Sequence, residues 1–114
     1  MARPTQAHFA AAKGVLRYLL CTKNAGLVYG SSTNSLLGYC DADYAGDLHT
    51  RRSTTGNVFL LNGGVITWSS KLQVTVAVST AEAEYMAASA CVKESLWLRM
   101  LFTDLGIVIL RAKV

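Results

Sequence analysis

The sequence predicts an α/β fold in which antiparallel strands form a mixed sheet and one long helix packs on a face of it. Three observations lead there. Residues 57–61 and 65–69 are strand-like and flank Asn62-Gly63-Gly64, residue types that tolerate the positive φ of a tight hairpin. Residues 80–103 then switch to helical spacing, opened by Ser79 and Glu82 as a capping box. The order helix, strands, helix, broken strand leaves one sheet and one long helix to share a core.

Taken from the start, Pro4 and Thr5 signal a helix whose Phe9, Ala12, Leu16, Leu19 and Leu20 recur at helical spacing. Lys13 and Arg17 lie one turn apart on another side, and Gly14 weakens this helix by about 1 kcal/mol relative to alanine, so packing must hold it. Residues 24–26 end it, 27–29 read as a short strand and 30–35 as a polar loop. A mostly apolar run at 36–42 ends in carboxylates, and 73–78 alternates with Val74, Val76 and Val78 on one side. In the long helix, Tyr85, Ala88, Val92, Leu96 and Met100 form the expected main apolar stripe, with Trp97, Leu98, Leu101 and Phe102 as a second apolar side. Gly106 stops it, and 107–110 begins a strand.

Composition narrows the classes. The 114 residues suit one small domain. Only 16% are charged, against roughly 25% in ordinary soluble domains, while 52% are hydrophobic. Such a surface is expected to have neighbours that cover it. The net charge of +4 is compatible with a polyanionic partner without requiring one. Cys21, Cys40 and Cys91 have no metal-type spacing and read as small buried hydrophobes of a reducing compartment. With no signal peptide and no apolar run long enough to span a bilayer, the expectation is a cytoplasmic or nuclear protein with no membrane partner.

Seven acids carry whatever carboxylate chemistry there is: Asp41, Asp43, Asp47, Glu82, Glu84, Glu94 and Asp104. Asp41 and Asp43 close the first central strand, where Leu37, Tyr39 and Asp41 share a face; if that face meets the long helix, Asp41 lies at its rim. Glu82 and Glu84 are about 200° apart around the helix axis. Glu84 shares a side with Ala88 and Cys91 and is expected to face the sheet, while Glu82 faces water. Asp41 and Glu84 are therefore the pair that can converge as a hard-oxygen cradle for Mg²⁺. Spacing alone leaves the plainer account open: Glu82 caps, Glu84 favours the helix dipole, and 41–47 is a turn. Arg51 and Arg52, with Ser53, Thr54 and Thr55, form a basic, hydroxyl-rich loop that can hold phosphates or simply be solvated. His8 and His49 have no carboxylate or serine partner in sequence, and the two tryptophans read as core or interface.

The run Gly38-Tyr39-Cys40-Asp41-Ala42-Asp43-Tyr44-Ala45-Gly46-Asp47 resembles the opening strand of the ribonuclease H domain of copia-type retrotransposon Pol polyproteins. Thr50-Arg51-Arg52-Ser53-Thr54-Thr55-Gly56, Trp68-Ser69-Ser70-Lys71 and Ser79-Thr80-Ala81-Glu82-Ala83-Glu84-Tyr85 follow in the order and spacing of that family. Arg3-Pro4-Thr5 and Val15-Leu16-Arg17-Tyr18-Leu19 resemble the stretch that joins its reverse transcriptase to its ribonuclease. The resemblance divides the chain into a connecting segment, 1–35, and a ribonuclease H-like domain, 36–114, and it covers nearly the whole chain.

What it implies is an enzyme that cuts the RNA of an RNA–DNA hybrid during reverse transcription with two Mg²⁺ ions. By motif match Asp41 is the first metal-binding aspartate and Glu84 the helix glutamate, catalytic and metal-ligating both; Arg51 and Arg52 are the candidate nucleic-acid contacts on the chemistry of their basic loop. The resemblance also implies a further catalytic aspartate on the strand after the long helix. No acid follows Asp104, so the expectation is a partial ribonuclease H-like fold, truncated before its last strands and helices, and inactive alone. Remaining parts of the retrotransposon polyprotein are the expected completing partners. A non-catalytic nucleic-acid-binding module and an inert transposon remnant are the alternatives.

Overall fold

The computed structural model describes residues 3–30 and 35–113, with Arg111 described by its backbone alone. Its elements are α1 (Gln6–Thr22), β1 (Ser35–Ala42), β2 (Thr54–Leu61), β3 (Gly64–Leu72), α2 (Thr80–Asp104) and β4 (Arg111–Lys113). The fold is α/β, a four-stranded mixed sheet in the order β3-β2-β1-β4 with β1–β2 and β2–β3 antiparallel and β1–β4 parallel. The expected hairpin is present: Asn62 (φ 53°) and Gly63 (φ 82°) turn the chain between Leu61 and Gly64. Two successive positive φ values match the right-handed twist of the flanking strands. A bulge between Phe59 and Leu60 shifts the β2–β3 register near that end and leaves Ile66 free to pack against the core.

The core lies between one face of this sheet and α2. Leu36, Phe59, Cys91, Leu98 and Phe102 are buried together, with Cys40, Leu61, Ile66 and Ile109 packed against them. On α2 the inward line is Ala83, Ala87, Cys91, Ser95, Leu98 and Phe102. Its first four members are small, which lets the helix lie close to the sheet. The expected main stripe is therefore corrected. Tyr85 is 79% exposed, Val92, Leu96 and Met100 are exposed too, and only Ala88 of that set is half-buried. Apolar character placed the stripe by residue size, whereas close helix–sheet packing selected the small residues spaced by four. Of the second apolar side, Leu98 and Phe102 are buried as expected, and Trp97 is exposed.

The facing of β1 needs a similar correction. Leu36 and Gly38 are buried on the α2 side with Cys40 half-buried beside them, so Leu37, Tyr39 and Asp41 point to the opposite face. Residues 27–29 and 73–78 are not strands. Val74, Val76 and Val78 are exposed, and the backbone of 73–79 instead carries the chain from β3 to α2. The strand expected at 107–110 appears slightly later, as β4, and pairs with Ser35–Leu37 only at the start of β1.

Both helices are capped by side chains. Thr5 Oγ1 accepts from the His8 amide while His8 Nδ1 accepts from the Thr5 amide at 3.0 Å, a reciprocal box with histidine in the usual glutamate place. At α2, Ser79 Oγ accepts from the Glu82 amide at 3.1 Å, but Glu82 returns its bond to the Val78 amide (2.6 Å) rather than to Ser79. Gly106 (φ 69°) ends α2 in a left-handed cap, with the Gly106 amide donating to Thr103 and the Ile107 amide to Phe102. No residue of α1 is buried.

Candidate functional site at the β1–α2 end of the sheet

The C-terminal end of β1, the start of β2 and the first turn of α2 meet at one end of the molecule, and Gln73 holds them there. The Gln73 carboxamide, only 6% exposed, donates to Thr55 Oγ1 and to the Ala83 carbonyl, both at 3.0 Å. Thr55 is the cross-strand partner of Ala42, and Ala83 lies in the first turn of α2. Glu84 thus follows one of the two positions that Gln73 ties together, and Asp41 precedes Ala42, the cross-strand partner of the other. Both side chains are exposed, Asp41 on the face away from α2 and Glu84 at the helix start. The tether brings their backbones to one end, but the sheet faces do not converge as the sequence suggested. Glu82, exposed as expected, is engaged in capping.

The other two aspartates of the motif build the loop between β1 and β2. Asp43 Oδ1 accepts a short bond from the Thr54 amide, and the Asp43 amide donates to the Thr54 carbonyl at 3.2 Å. Asp47 accepts from the Thr50 hydroxyl and from the His49 amide, which together hold its carboxyl below the usual carboxylate range. Ala45 (φ 52°) is buried with its amide donating to Ser53 Oγ at 3.0 Å. The loop is therefore an ordered turn in which Asp43 and Asp47 are structural. Arg51 (φ 56°) is exposed at its tip; Arg52 is half-buried and donates from Nε to Thr50 Oγ1 at 3.1 Å. Both arginines stand at the same end of the sheet as Asp41. His8 is a cap residue, and Trp68 (71% exposed) and Trp97 belong to the surface, not to the core.

Sequence reasoning missed Gln73 and Ser53. Ser53 is fully buried and accepts from the Gln73 amide through its carbonyl at 2.8 Å. No periodicity signals them, because both sit just outside regular strands. It also missed an open cleft of about 640 Å³ between β3 and α2, lined by Thr55, Asn57, Ser69, Lys71 and Lys93 among others. Gln73 lines that cleft, and its buried Oε1 has no hydrogen-bond partner among the described residues.

The chain is 48% identical over 104 residues to a retrovirus-related Pol polyprotein from transposon TNT 1-94 of Nicotiana tabacum, covering 91% of this chain and 8% of that protein. It is 42% identical over 115 residues to a retrovirus-related Pol polyprotein from transposon RE1 of Arabidopsis thaliana, again across 8% of that protein. Nearly the whole chain is similar to one segment of these retrotransposon Pol polyproteins. It is also 51% identical over 96 residues to the secreted RxLR effector protein 161 of Plasmopara viticola, spanning 83% of this chain and 68% of that one. No protein-family model matches the chain, and no solved structure matches it significantly. The chain spans less than a tenth of the length of the Pol polyproteins TNT 1-94 and RE1. Among its described residues, no helix is long and apolar enough to cross a membrane.

Mg²⁺ is the ion that the expected reaction needs, and the donors can be tested against it. Two exposed carboxylates from different elements, facing differently, are fewer than a pair of ions bridged by shared oxygens requires. Among the described residues no three His, Cys, Asp or Glu side chains cluster. The residues present do not fit a two-ion centre.

Proposed function

We propose that this chain is the ribonuclease H-like part of a retrotransposon Pol polyprotein, carrying Asp41 and Glu84 as two of the carboxylates of a hybrid-cleaving site and silent as a nuclease by itself. The observation that carries the reading is the tether at one end of the sheet: Gln73 joins the β2 partner of Ala42 to the first turn of α2, beside Asp41 and Glu84. The strand order, with a parallel fourth strand after the long helix, and the relationship to Pol polyproteins support it. Cleavage would require further carboxylates from the remaining polyprotein. Gln73 fixes the start of β2 and the start of α2 in one frame.

The substrate class in this reading is an RNA–DNA hybrid, recognised by backbone and 2′-hydroxyl contacts rather than by base sequence. The test is cleavage of a labelled hybrid by folded, purified chain with Mg²⁺ or Mn²⁺, beside an Asp41→Asn control. The expected outcome is no cleavage by either protein. Cleavage by the parent chain that Asp41→Asn abolishes would overturn the silence and establish a working site.

A second reading, a nucleic-acid-binding module, is favoured by the ordered Arg51–Arg52 loop at that same end. In it, hybrid or duplex binds without cleavage, and affinity falls steeply with salt and in the Arg51→Ala, Arg52→Ala double variant. Neither binding nor cleavage would leave an inert transposon remnant.

A further inference from the structure

Two apolar surfaces of this chain lack a cover. On the sheet face turned away from α2, the cross-strand rows Tyr39–Val58–Trp68 and Leu37–Leu60–Val65 are apolar throughout, and Tyr39 and Trp68 are more than half exposed. Leu36 and Phe59 fill the other face, so the sheet is apolar on both sides, whereas an antiparallel sheet with one wet face alternates apolar and polar residues. The second surface is α1. Its Phe9, Leu16, Leu19 and Leu20 share one side, all more than half exposed, and no residue of the helix is buried. A 17-residue helix with Gly14 inside it and no acid to pair with Lys13 or Arg17 is marginal alone in water, so it too needs a partner. We propose that these two surfaces cover each other between copies: α1 of one chain lies along the far sheet face of a second chain, which returns the contact and closes a two-fold dimer.

The two surfaces match in length. The helix spans about 25 Å, and β1, β2 and β3, of eight or nine residues each, run about 26–30 Å. Their charges are compatible: by register Asp41 is the one charged side chain on the far face of β1–β3, and α1 carries Lys13 and Arg17 with no acid. The route of the chain favours exchange over closure of α1 onto its own sheet. Gly64 pairs with Leu61, which packs on the α2 side, and a Cβ at Gly64 would run into the Tyr29 ring. Tyr29 therefore sits on the α2 side of the hairpin end, held by its hydroxyl bond to the Val65 carbonyl at 2.7 Å. Residues 23–28 join α1 to that anchor, on the side opposite to its own uncovered face. The area also suffices, because each copy lends both surfaces. Phe9, Tyr39 and Trp68 are rings worth about 150–250 Å² apiece when wholly buried. With the three leucines of α1 added, the contact approaches the roughly 800 Å² per partner of a standard interface. The dimer does not depend on the nuclease reading.

The experiment measures mass by light scattering across a dilution series of the full chain and of two variants at exposed positions, Leu16→Glu in α1 and Tyr39→Lys on the far face, each shown to be folded by circular dichroism. The parent is expected to run as a dimer that dissociates on dilution, and each variant alone as a monomer. An equimolar mixture of the two should recover a dimer, because the intact α1 of the Tyr39→Lys chain meets the intact sheet face of the Leu16→Glu chain. In a Trp97→Phe background, Trp68 emission should move to the red as the dimer dissociates. A dimer that survives either variant, as helix-to-helix or sheet-to-sheet pairing would give, overturns the proposal. So does a monomeric parent, as closure of α1 on its own chain would give. Assembly beyond the dimer without a plateau, or a mixture that stays monomeric, overturns it equally.

Discussion

At the residue scale, three side chains make measurable predictions. Phe59 is fully buried at the centre of the core, so Phe59→Ala is expected to cost about 3–5 kcal/mol by denaturant unfolding, enough to unfold much of a small domain. Asp47 has its carboxyl lowered by the Thr50 hydroxyl and then the His49 amide, and a lowered folded pKa contributes stability above the unfolded value of 3.8 that is lost as pH falls through the folded one. Melting midpoints measured below about pH 4 should therefore fall less in Asp47→Asn than in the parent chain. Cys91 works in the other direction. Its thiol is raised from 9.0 to about 11, so its contribution is complete below 9.0 and disappears as pH rises to about 11. Reduced Cys91→Ala should show a flatter alkaline loss over that window than the reduced parent.

At the element scale, α2 organises the molecule, and the Ser79 hydroxyl caps its start. Ser79→Ala removes the acceptor for the Glu82 amide and is expected to lower stability by about 1 kcal/mol, read as a shift in the unfolding midpoint. The position of α2 on the sheet follows from its line of small residues. A larger side chain at Ala87, fully buried there, would push the helix off the sheet. In contrast, the hairpin, both helix starts and the Gly106 stop were legible in the sequence because each depends on local chemistry: positive φ at Asn62 and Gly63, hydroxyl caps at Thr5 and Ser79, a left-handed glycine. The alternation at 73–78 misled because period-two spacing also occurs in an extended connection with no partner strand.

At the scale of the whole molecule, much apolar surface stays outside. The radius of gyration is 17.6 Å, where a compact chain of this length would have about 13 Å. Phe9, Leu16 and Leu19 of α1 and Val92, Leu96 and Met100 of α2 are exposed, as are Tyr39 and Trp68 on the sheet's far face. Tyr29, whose hydroxyl donates to the Val65 carbonyl at 2.7 Å, pins the segment after α1 to the β2–β3 hairpin. Surface of this extent drives association. Size-exclusion chromatography with light scattering should show concentration-dependent self-association, reduced by Leu16→Glu with little change in Tm, whereas Leu98→Glu should prevent folding. A monodisperse monomer over the whole concentration range would contradict the expectation.

The sequence by itself determined the fold class, the hairpin, the extents of both helices and the motif that relates the chain to retrotransposon Pol polyproteins, because these rest on local backbone preferences and on contiguous residues. The tertiary structure decided which faces are inside. It turned Leu36, Gly38 and Cys40 toward α2 and Asp41 away, and set the small residues of α2 against the sheet, because close packing selects for fit where periodicity records only apolar character. It also assigned Asp43 and Asp47 to a turn and revealed Gln73 as the tether between β2 and α2, since such hydrogen bonds join residues that no sequence spacing brings together.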